Sequence, residues 1–270
     1  MGNSDLTIFS VFHKDYPKPN CDFIKPIQVG KALTSTDLGF LKDDVGENIS
    51  AKNPTFCELT ALYWIWKNVD QINSEFIGLS HYRRYFCFPQ TIKKKKLFIP
   101  VNRKDRRDVY PKLLTKDQLD NIGSEKLKNE FLSHLNDNHL IIAKPIPMGS
   151  SKLYDFNVKD NYIYNHIRED WYLLEEAIKK ISPAYAHFAD DYFSTTKKLH
   201  SFNMFIGSKA FLINYCEWLF PILTELEATV KLSDYPYQRR AIGFMAERLF
   251  NLYIKKNEIA TVEYPVVFFD

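Results

Sequence analysis

An apolar run that ends abruptly in charged and aromatic residues is the strongest constraint on how this chain folds. Residues 76–86 read FIGLSHYRRYF, so a short apolar run is followed by one histidine, two arginines and three aromatic rings. Solvated loops seldom need so many rings, and protein cores seldom contain paired arginines. The pattern predicts a buried strand whose end opens onto a binding site.

Segments typical of strands come mostly early in the chain, and helical segments dominate later. Residues 6–12 (LTIFSVF) are typical of a first strand, and 26–30 of a short second one. Asn53 and Pro54 suit the cap and first position of a mostly buried helix. Further strands are predicted at 139–143 and 262–269, and helices at 116–136, 160–181, 184–197, 209–227 and 236–256. We therefore expect an α/β fold with a helical C-terminal part.

Composition narrows the class of protein. Apolar residues make up 45% and aromatic residues 15% of the chain, which indicates a globular protein. A net charge of +3 is too small to indicate nucleic-acid binding by itself. The four cysteines show no CxxC spacing, so we expect reduced thiols in the cytosol. No membrane span, signal peptide or linker is evident, and we expect one domain over 1–270.

The turn after the strand at 76–80 carries the first candidate site. Arg83 and Arg84 suit a diphosphate, because guanidinium groups hydrogen-bond phosphate oxygens in pairs and stay charged. Tyr82 and its neighbouring rings can stack on a base or a sugar. His81 lies at the mouth of the strand, but no second histidine stands at metal-ligand spacing. The alternative is a surface turn whose arginines pair with local carboxylates and whose rings belong to the core.

The polar loop 43–50 precedes the first helix and offers several ligand groups. Its carboxylates are Asp43, Asp44 and Glu47, and Asn48 adds an amide. Such a loop can hold a ribose hydroxyl, a metal ion or the edge of a base. A capped solvent loop explains the same residues.

Three polar side chains in the second half of the chain are further candidates. Asn203 interrupts an apolar run at 199–207, and a buried amide there needs a hydrogen-bond partner from the backbone or a ligand. Asp190 and Asp191 are candidate base or metal carboxylates. A solvated helix end explains this pair equally well.

The last predicted helix carries Arg240, Glu247 and Arg248 together. An arginine–glutamate lattice that braces the fold is one interpretation, and an arginine facing a phosphate is the other. The basic tract 91–112 is consistent with a solvated face or, because apolar residues are interleaved with the lysines, with an anionic lipid surface. It carries no recognised nucleic-acid motif.

Several of these segments together resemble a known family. NPTFCELTALYWIWKN is followed by FIGLSHYRRYF and preceded by DDVGENIS, and NMFIG, YCEWLFPIL and RRAIGFMAERLFNLYI come later. They resemble the bacterial capsular and exopolysaccharide biosynthesis glycosyltransferases of the domain-of-unknown-function 4422 family. The likeness extends over about residues 6–256 and includes relatives that are galactofuranosyltransferases of O-antigen or capsule synthesis.

The resemblance implies a single-domain, GT-A-like glycosyltransferase fold. Its Rossmann-like nucleotide-sugar half would span about 1–145 and its helical acceptor half about 146–270. Similar transferases usually carry a DxD metal motif at the charged turn, where this chain has His-Tyr-Arg-Arg. Because arginines can neutralise a leaving diphosphate, the expected cofactor is none, or a divalent cation (Mn²⁺ or Mg²⁺) that only assists.

The predicted reaction transfers a hexosyl group, galactosyl or galactofuranosyl, from a UDP-sugar to a lipid-linked glycan acceptor. His13, at the end of the first strand, and the loop 43–50 are expected to hold the nucleotide, while Arg83 and Arg84 meet the diphosphate. His81, Tyr82 and Arg240 are further candidates for substrate binding; no nucleic-acid partner is expected.

An inverting reaction also needs one carboxylate as general base, and the candidates are Asp190, Asp191 and Glu247. Asn203 is expected to contact a sugar. The alternative functions are a nucleotide-sugar or glycan-binding protein without turnover, and a nucleotidyltransferase. The expected location is the cytoplasm, with the tract 91–112 as an optional contact to the inner face of the membrane.

Overall fold

A computed structural model of the chain describes residues 5–88, 116–149 and 155–269. The basic tract 91–112 lies outside the described residues, so its contact with an anionic membrane stays a prediction. No helix in the described part of the chain is both long and apolar enough to cross a membrane.

The predicted strands and helices occur in the predicted order, together with short strands that were not predicted. The strands are β1 (Leu6–Phe12), β2 (Ile24–Gln28), β3 (Leu41–Lys42), β4 (Phe76–His81), β5 (Arg84–Phe86), β6 (Leu140–Ala143), β7 (Ile146–Pro147), β8 (Lys198–Leu199), β9 (Phe205–Ser208), β10 (Thr261–Tyr264) and β11 (Val266–Phe268). The helices are α1 (Asn53–Phe56), α2 (Leu59–Lys67), α3 (Lys116–Ile122), α4 (Glu125–Asn136), α5 (Val158–Asn165), α6 (Arg168–Ile181), α7 (Pro183–Thr195), α8 (Lys209–Thr229) and α9 (Ala241–Lys256).

A mixed sheet with mostly parallel strands forms the centre of the molecule. Its order is β10-β6-β9-β4-β1-β2-β3, and β9 is antiparallel to both of its neighbours. Strand β1 runs parallel to β2 and β4, so the carboxyl ends of these three strands meet at one edge. Strand β5 turns away from β4 at the pair His81–Arg84 and joins β11. Ligands bind at such carboxyl edges in open α/β sheets.

Both faces of the sheet are covered, which explains why β1 and β4 are mostly apolar and buried along their whole length. All residues of β1 and β4 are buried, as expected for parallel strands between two layers. Phe9 and Ile77 face a cluster formed with α1, α2 and α5–α9. Ile8 and Phe76 point the other way, toward a cluster that includes α3 and α4.

The predicted α/β class is confirmed, and the single-domain assignment stays a prediction. The helix predicted from Asn53 is divided, because Cys57 adopts a φ of +52° between α1 and α2. The helices predicted at 116–136 and 160–181 are each divided as well. Asn157 caps α5, with its side-chain oxygen accepting a 2.7 Å hydrogen bond from the Asp160 amide.

Candidate active site

A cavity of about 900 Å³ opens beside the carboxyl edge of the sheet, between α5 and the first turns of α9. The junction of α1 and α2, strand β5 and the segment between β8 and β9 also line it. Among its lining residues, the charged side chains are Glu58, Arg84, Lys144, Arg240, Glu247 and Arg248. Four cationic groups against two carboxylates leave a net charge of +2, which suits an anionic ligand such as a diphosphate ester.

Arg84 enters the cavity from β5 between two aromatic rings. Its guanidinium carbon lies 4.7 Å from the centre of the Phe202 ring and 4.8 Å from that of Phe268. Burial lowers the pKa of Arg84, and the carboxylates of Glu58 and Glu247 oppose this shift. The rings fix the direction of the guanidinium and leave it beside both carboxylates.

Two carboxylates, Glu58 and Glu247, share the cavity. Glu247 accepts hydrogen bonds from the Phe202 amide at 2.8 Å and from Nη1 of Arg248 at 3.3 Å. Glu58 accepts a 2.6 Å hydrogen bond from Nδ2 of Asn203. Burial raises the pKa of both carboxyls; Arg248 opposes the rise for Glu247, and the charge of Glu58 adds to it.

The loop before β9 positions both carboxylates through an unusual backbone conformation. Phe202 has a φ of +81° and Asn203 a φ of +51°, which non-glycine residues seldom adopt. This turn aims the Phe202 amide at Glu247 and the Asn203 side chain at Glu58. The Phe202 carbonyl accepts from Nε2 of His81 at 2.7 Å, and burial lowers the pKa of His81 to about 3. The predicted sugar amide, Asn203, therefore holds a carboxylate in this structure.

Arg240 lies at the start of α9, on the same side of the cavity as Glu58. Its Nε donates to the Cys57 sulfur at 3.1 Å, and its guanidinium carbon lies 5.4 Å from the centre of the Phe244 ring. Burial raises the pKa of Cys57 to about 11, so the sulfur is a thiol at neutral pH.

Arg248 is held more tightly than Arg240. Its Nη1 donates to the Phe244 carbonyl at 2.9 Å and its Nη2 to Oδ1 of Asn161 at 3.2 Å. Its guanidinium also lies over the Tyr162 ring at 5.3 Å. These contacts suit a residue that orients its neighbours, above all Glu247.

His13, Tyr82 and Arg83 form a second patch at the carboxyl ends of β1 and β4, outside the cavity lining. The His13 and Tyr82 rings are 5.0 Å apart, and the Arg83 guanidinium carbon lies 5.0 Å from the Tyr82 ring. Burial lowers the pKa of His13, and so do the charges of Lys14, Arg83 and Arg240. Arg83 is adjacent in sequence to Arg84, which lines the cavity, so this patch lies beside the cavity.

Asp43 lies inside the loop that was predicted to hold the nucleotide. It is buried and accepts from the Gly30 amide at 3.0 Å, the Lys31 amide at 3.2 Å and the Ser50 hydroxyl at 2.5 Å. Both carboxylate oxygens are engaged by groups of the chain itself, so Asp43 anchors the loop. Nucleotide binding by Asp43 stays a prediction.

Asn48 closes the same loop, since its Nδ2 donates to the carbonyls of Asp44 at 3.2 Å and Gly46 at 2.8 Å. Its Oδ1 accepts from the Ser50 amide at 3.1 Å. Neither Asp44 nor Asn48 lines the cavity. Nucleotide binding by these two residues stays a prediction.

The predicted base candidates are separated by the fold. Asp190 and Asp191 lie exposed on α7, and neither lines the cavity. Their carbonyls accept hydrogen bonds from hydroxyl groups one turn later, as at a solvated helix end. Of the three candidates, only Glu247 lies at the site.

Glu58 is a site residue that the sequence reasoning missed. Its signal in the sequence is that it is the single carboxylate in the apolar run CELTALYW. Its hydrogen-bond partner, Asn203, is 145 positions away in the chain. In the described part of the chain, no three His, Cys, Asp or Glu residues cluster as a metal site. The expected metal requirement, none or only assisting, stays a prediction.

Comparison with known proteins gives two findings. The model of the family described as "Domain of unknown function (DUF4422)" matches residues 7–258. A solved apo structure of WbbM, described as a bifunctional glycosyltransferase, superposes with a TM-score of 0.81 at 29% sequence identity. The match covers 99% of this chain and 46% of that one, so this chain spans less than half of that protein's length. No curated protein gives a significant match.

Proposed function

The chain belongs to the DUF4422 family, and from this premise we propose that it is a glycosyltransferase. It moves a hexosyl group from a UDP-sugar to a hydroxyl of a glycan acceptor. The observation that carries the proposal is the cavity in which Glu247 and Glu58 lie beside Arg84, Arg240 and Arg248. The likeness to a bifunctional glycosyltransferase supports it. A galactosyl or galactofuranosyl donor and a lipid-linked acceptor in capsule, exopolysaccharide or O-antigen synthesis follow from the family resemblance.

Glu247 is the general base in this proposal. A hydroxyl attacks a sugar carbon faster when a carboxylate removes its proton, and a raised pKa strengthens the base. The Phe202 amide and the Arg248 guanidinium fix the carboxylate, and each oxygen retains a further lone pair for the acceptor hydroxyl. Glu58 follows Cys57, which accepts from Nε of Arg240, so it lies on the Arg240 side of the cavity.

Arg84 and Arg240 stabilise the leaving group. In an inverting displacement, the acceptor oxygen bonds to the anomeric carbon as the bond from that carbon to the phosphate oxygen breaks. The proton passes to Glu247, and the electron pair remains on the diphosphate. Guanidinium groups placed where this charge develops lower the barrier.

The nucleotide lies toward His13, Tyr82 and Arg83 in this arrangement. The carboxyl ends of β1 and β4 carry these residues, and ligands of open α/β sheets bind at such ends. Because arginines already supply positive charge next to the diphosphate, we propose that a divalent cation is at most an assistant. Activity that survives chelation of divalent ions would agree with this, and its complete loss would contradict it.

The test is the release of UDP from a panel of UDP-sugars that includes UDP-galactose and UDP-galactofuranose. We expect UDP release by the wild type and a loss of about 100-fold or more in kcat for Glu247→Gln, since general bases typically contribute 10²–10⁴-fold. Asp190→Asn is the matched control, because this carboxylate is exposed and remote from the cavity.

The possible products separate the proposal from its rivals. A binding protein releases no UDP from any donor, and a nucleotidyltransferase releases pyrophosphate. Either result would refute glycosyl transfer. Full activity of Glu247→Gln would refute the assignment of the base.

A further inference from the structure

Part of the cavity is lined by aromatic rings other than the two that flank Arg84. We call this set the aromatic wall; its members are Phe156, Tyr164, His166, Tyr237 and Phe244. His166 stacks on Phe244 with ring centres 4.2 Å apart, and Tyr237 lies 5.1 Å from Phe244. Phe156 and Tyr164 form a second pair, 5.0 Å apart.

The wall presents large aromatic surface to solvent inside a concave site. Tyr164 is 64% exposed and Tyr237 is 48% exposed. Rings that point into a cavity and remain this open are typical of binding sites, where one ligand face covers apolar area that the fold itself leaves uncovered.

The wall is also electrically neutral. Burial lowers the pKa of His166 to about 4, and the nearby Arg248 charge lowers it further, so this imidazole is uncharged at neutral pH. Its Nδ1 lies 3.1 Å from Oε1 of Gln238, which fixes the ring. A neutral stack suits the C–H face of a sugar ring better than it suits a phosphate, which the guanidiniums that line the cavity attract.

Polar groups of the kind that sugar hydroxyls need lie beside the wall. Asn161 and Asn165 line the same cavity. Nδ2 of Asn161 donates a hydrogen bond to the Met148 carbonyl, and Nδ2 of Asn165 donates one to the Asn161 carbonyl, both at 2.8 Å. Oδ1 of Asn161 already accepts from Nη2 of Arg248 but keeps a second lone pair for a hydroxyl group, and Oδ1 of Asn165 can accept as well.

The aromatic wall lies close to Glu247, the proposed general base. Phe244 precedes Glu247 by three residues on α9, so the two side chains lie on one face of the helix. We propose that the aromatic wall is the acceptor subsite and that it binds a saccharide ring by stacking, with one hydroxyl directed at Glu247. This inference rests on the proposed function and names the acceptor as a saccharide at its reacting end.

The experiment is saturation-transfer NMR with methyl β-galactopyranoside, whose C–H groups gather on one face of the ring. We expect saturation of these protons by the wild type, and affinity reduced roughly fivefold in Tyr237→Ala, a typical loss for one stacking contact. Tyr237→Phe keeps the ring and should bind normally. Tyr235→Ala is the matched control, because Tyr235 is 64% exposed nearby but does not line the cavity.

UDP binding, measured by calorimetry, shows whether the aromatic wall binds the acceptor saccharide or the uracil ring of the donor. Tyr237→Ala should bind UDP as the wild type does. If Tyr237→Ala binds UDP more weakly but binds the glycoside normally, the uracil ring lies on the aromatic wall and the inference is wrong. The inference is also wrong if the wild type binds no glycoside. These readouts need no turnover, so a protein that binds the glycoside at the wall but releases no UDP refutes the proposed function and leaves the saccharide subsite standing.

Discussion

Arg83 and Arg84 are adjacent in sequence, yet the fold gives them different surroundings. Arg84 lines the cavity between the rings of Phe202 and Phe268, whereas Arg83 lies over the Tyr82 ring outside it. The sequence alone treats the two guanidiniums as equivalent. The surroundings of the two arginines differ because β5 begins at Arg84 and pairs with β11, which also lines the cavity.

Replacing Arg84 tests the charge that is proposed to meet the diphosphate. Arg84→Ala should lower kcat by about 100-fold, the typical effect of removing one preorganised donor to developing charge. Arg84→Lys should recover part of the rate, because lysine keeps the charge but loses the planar fork. Arg83→Ala is the comparison and should lower kcat much less.

Melting temperatures measured on the same variants separate catalysis from folding. A purely structural Arg84 would lower the melting temperature of Arg84→Ala while kcat per folded molecule stays near the wild-type value. That result would remove Arg84 from the mechanism.

At the scale of the elements, the longer buried strands are well predicted, whereas the short strands β3, β5 and β7 and the breaks are not. The predicted strand at 6–12 is β1, and the apolar run at 76–80 is β4 with one more residue. Strand β2 begins two residues before its predicted position. The predictions of β1 and β4 succeed because strands buried on both faces leave a mostly apolar signal.

The break at Cys57 has no comparable local signal. Cysteine carries no helix-ending chemistry, and its positive φ comes with a contact from a distant part of the chain, the hydrogen bond from Arg240 just before α9. The positive φ of Phe202 and Asn203 is hidden for the same reason. Glu58 and Asn203 are 145 positions apart, so their 2.6 Å hydrogen bond exists only after folding.

Gly78 and Gly243 allow a test of how closely the strands and helices pack around them. Gly78 lies in β4, where an added Cβ would come within 2.9 Å of the Phe205 carbonyl oxygen and of Cγ1 of Ile206. Gly78→Ala should lower the free energy of unfolding by about 1–3 kcal/mol, the usual effect of overpacking, as measured by urea denaturation.

Gly243→Ala is the matched control for that experiment. Its Cβ would meet the Cys57 sulfur at 3.4 Å, an ordinary contact, and alanine favours a helix over glycine by up to about 1 kcal/mol. We expect this variant to be at least as stable as the wild type. Equal stability of all three proteins would mean that the packing of β4 against β9 is looser than the structure shows.

At the scale of the whole molecule, the candidate site lies where the two predicted halves join. Strand β4 of the first half pairs with β9 of the second, so one sheet crosses the boundary that was predicted near residue 145. The cavity takes Glu58 and Arg84 from the first half and Glu247 from the second. The proposed donor and acceptor ends therefore depend on the same sheet, and neither half holds the complete site.

Buried histidines make the stability of the molecule depend on pH. Burial lowers the pKa of His81 to about 3 and that of His166 to about 4. Asp170 shifts in the opposite sense, since burial raises its pKa to about 6. Below pH 6.5 the unfolded chain binds more protons at the histidines than the folded chain does, which favours unfolding. Asp170 opposes this as the pH falls below about 6, because its carboxyl is protonated first in the folded state. Glu58 and Glu247 act in the same sense as Asp170, since burial also raises the pKa of both carboxyls.

We expect the free energy of unfolding to fall as the pH is lowered from 7 to 5, with His81 contributing about 2 kcal/mol to the loss. Urea denaturation at the two pH values measures it. His81→Gln removes the titrating group and keeps an amide that can donate to the Phe202 carbonyl, as Nε2 of His81 does at 2.7 Å. This variant should lose clearly less stability between pH 7 and pH 5 than the wild type. An identical loss in both proteins would show that His81 is not held neutral by the fold, and that the acid sensitivity arises elsewhere.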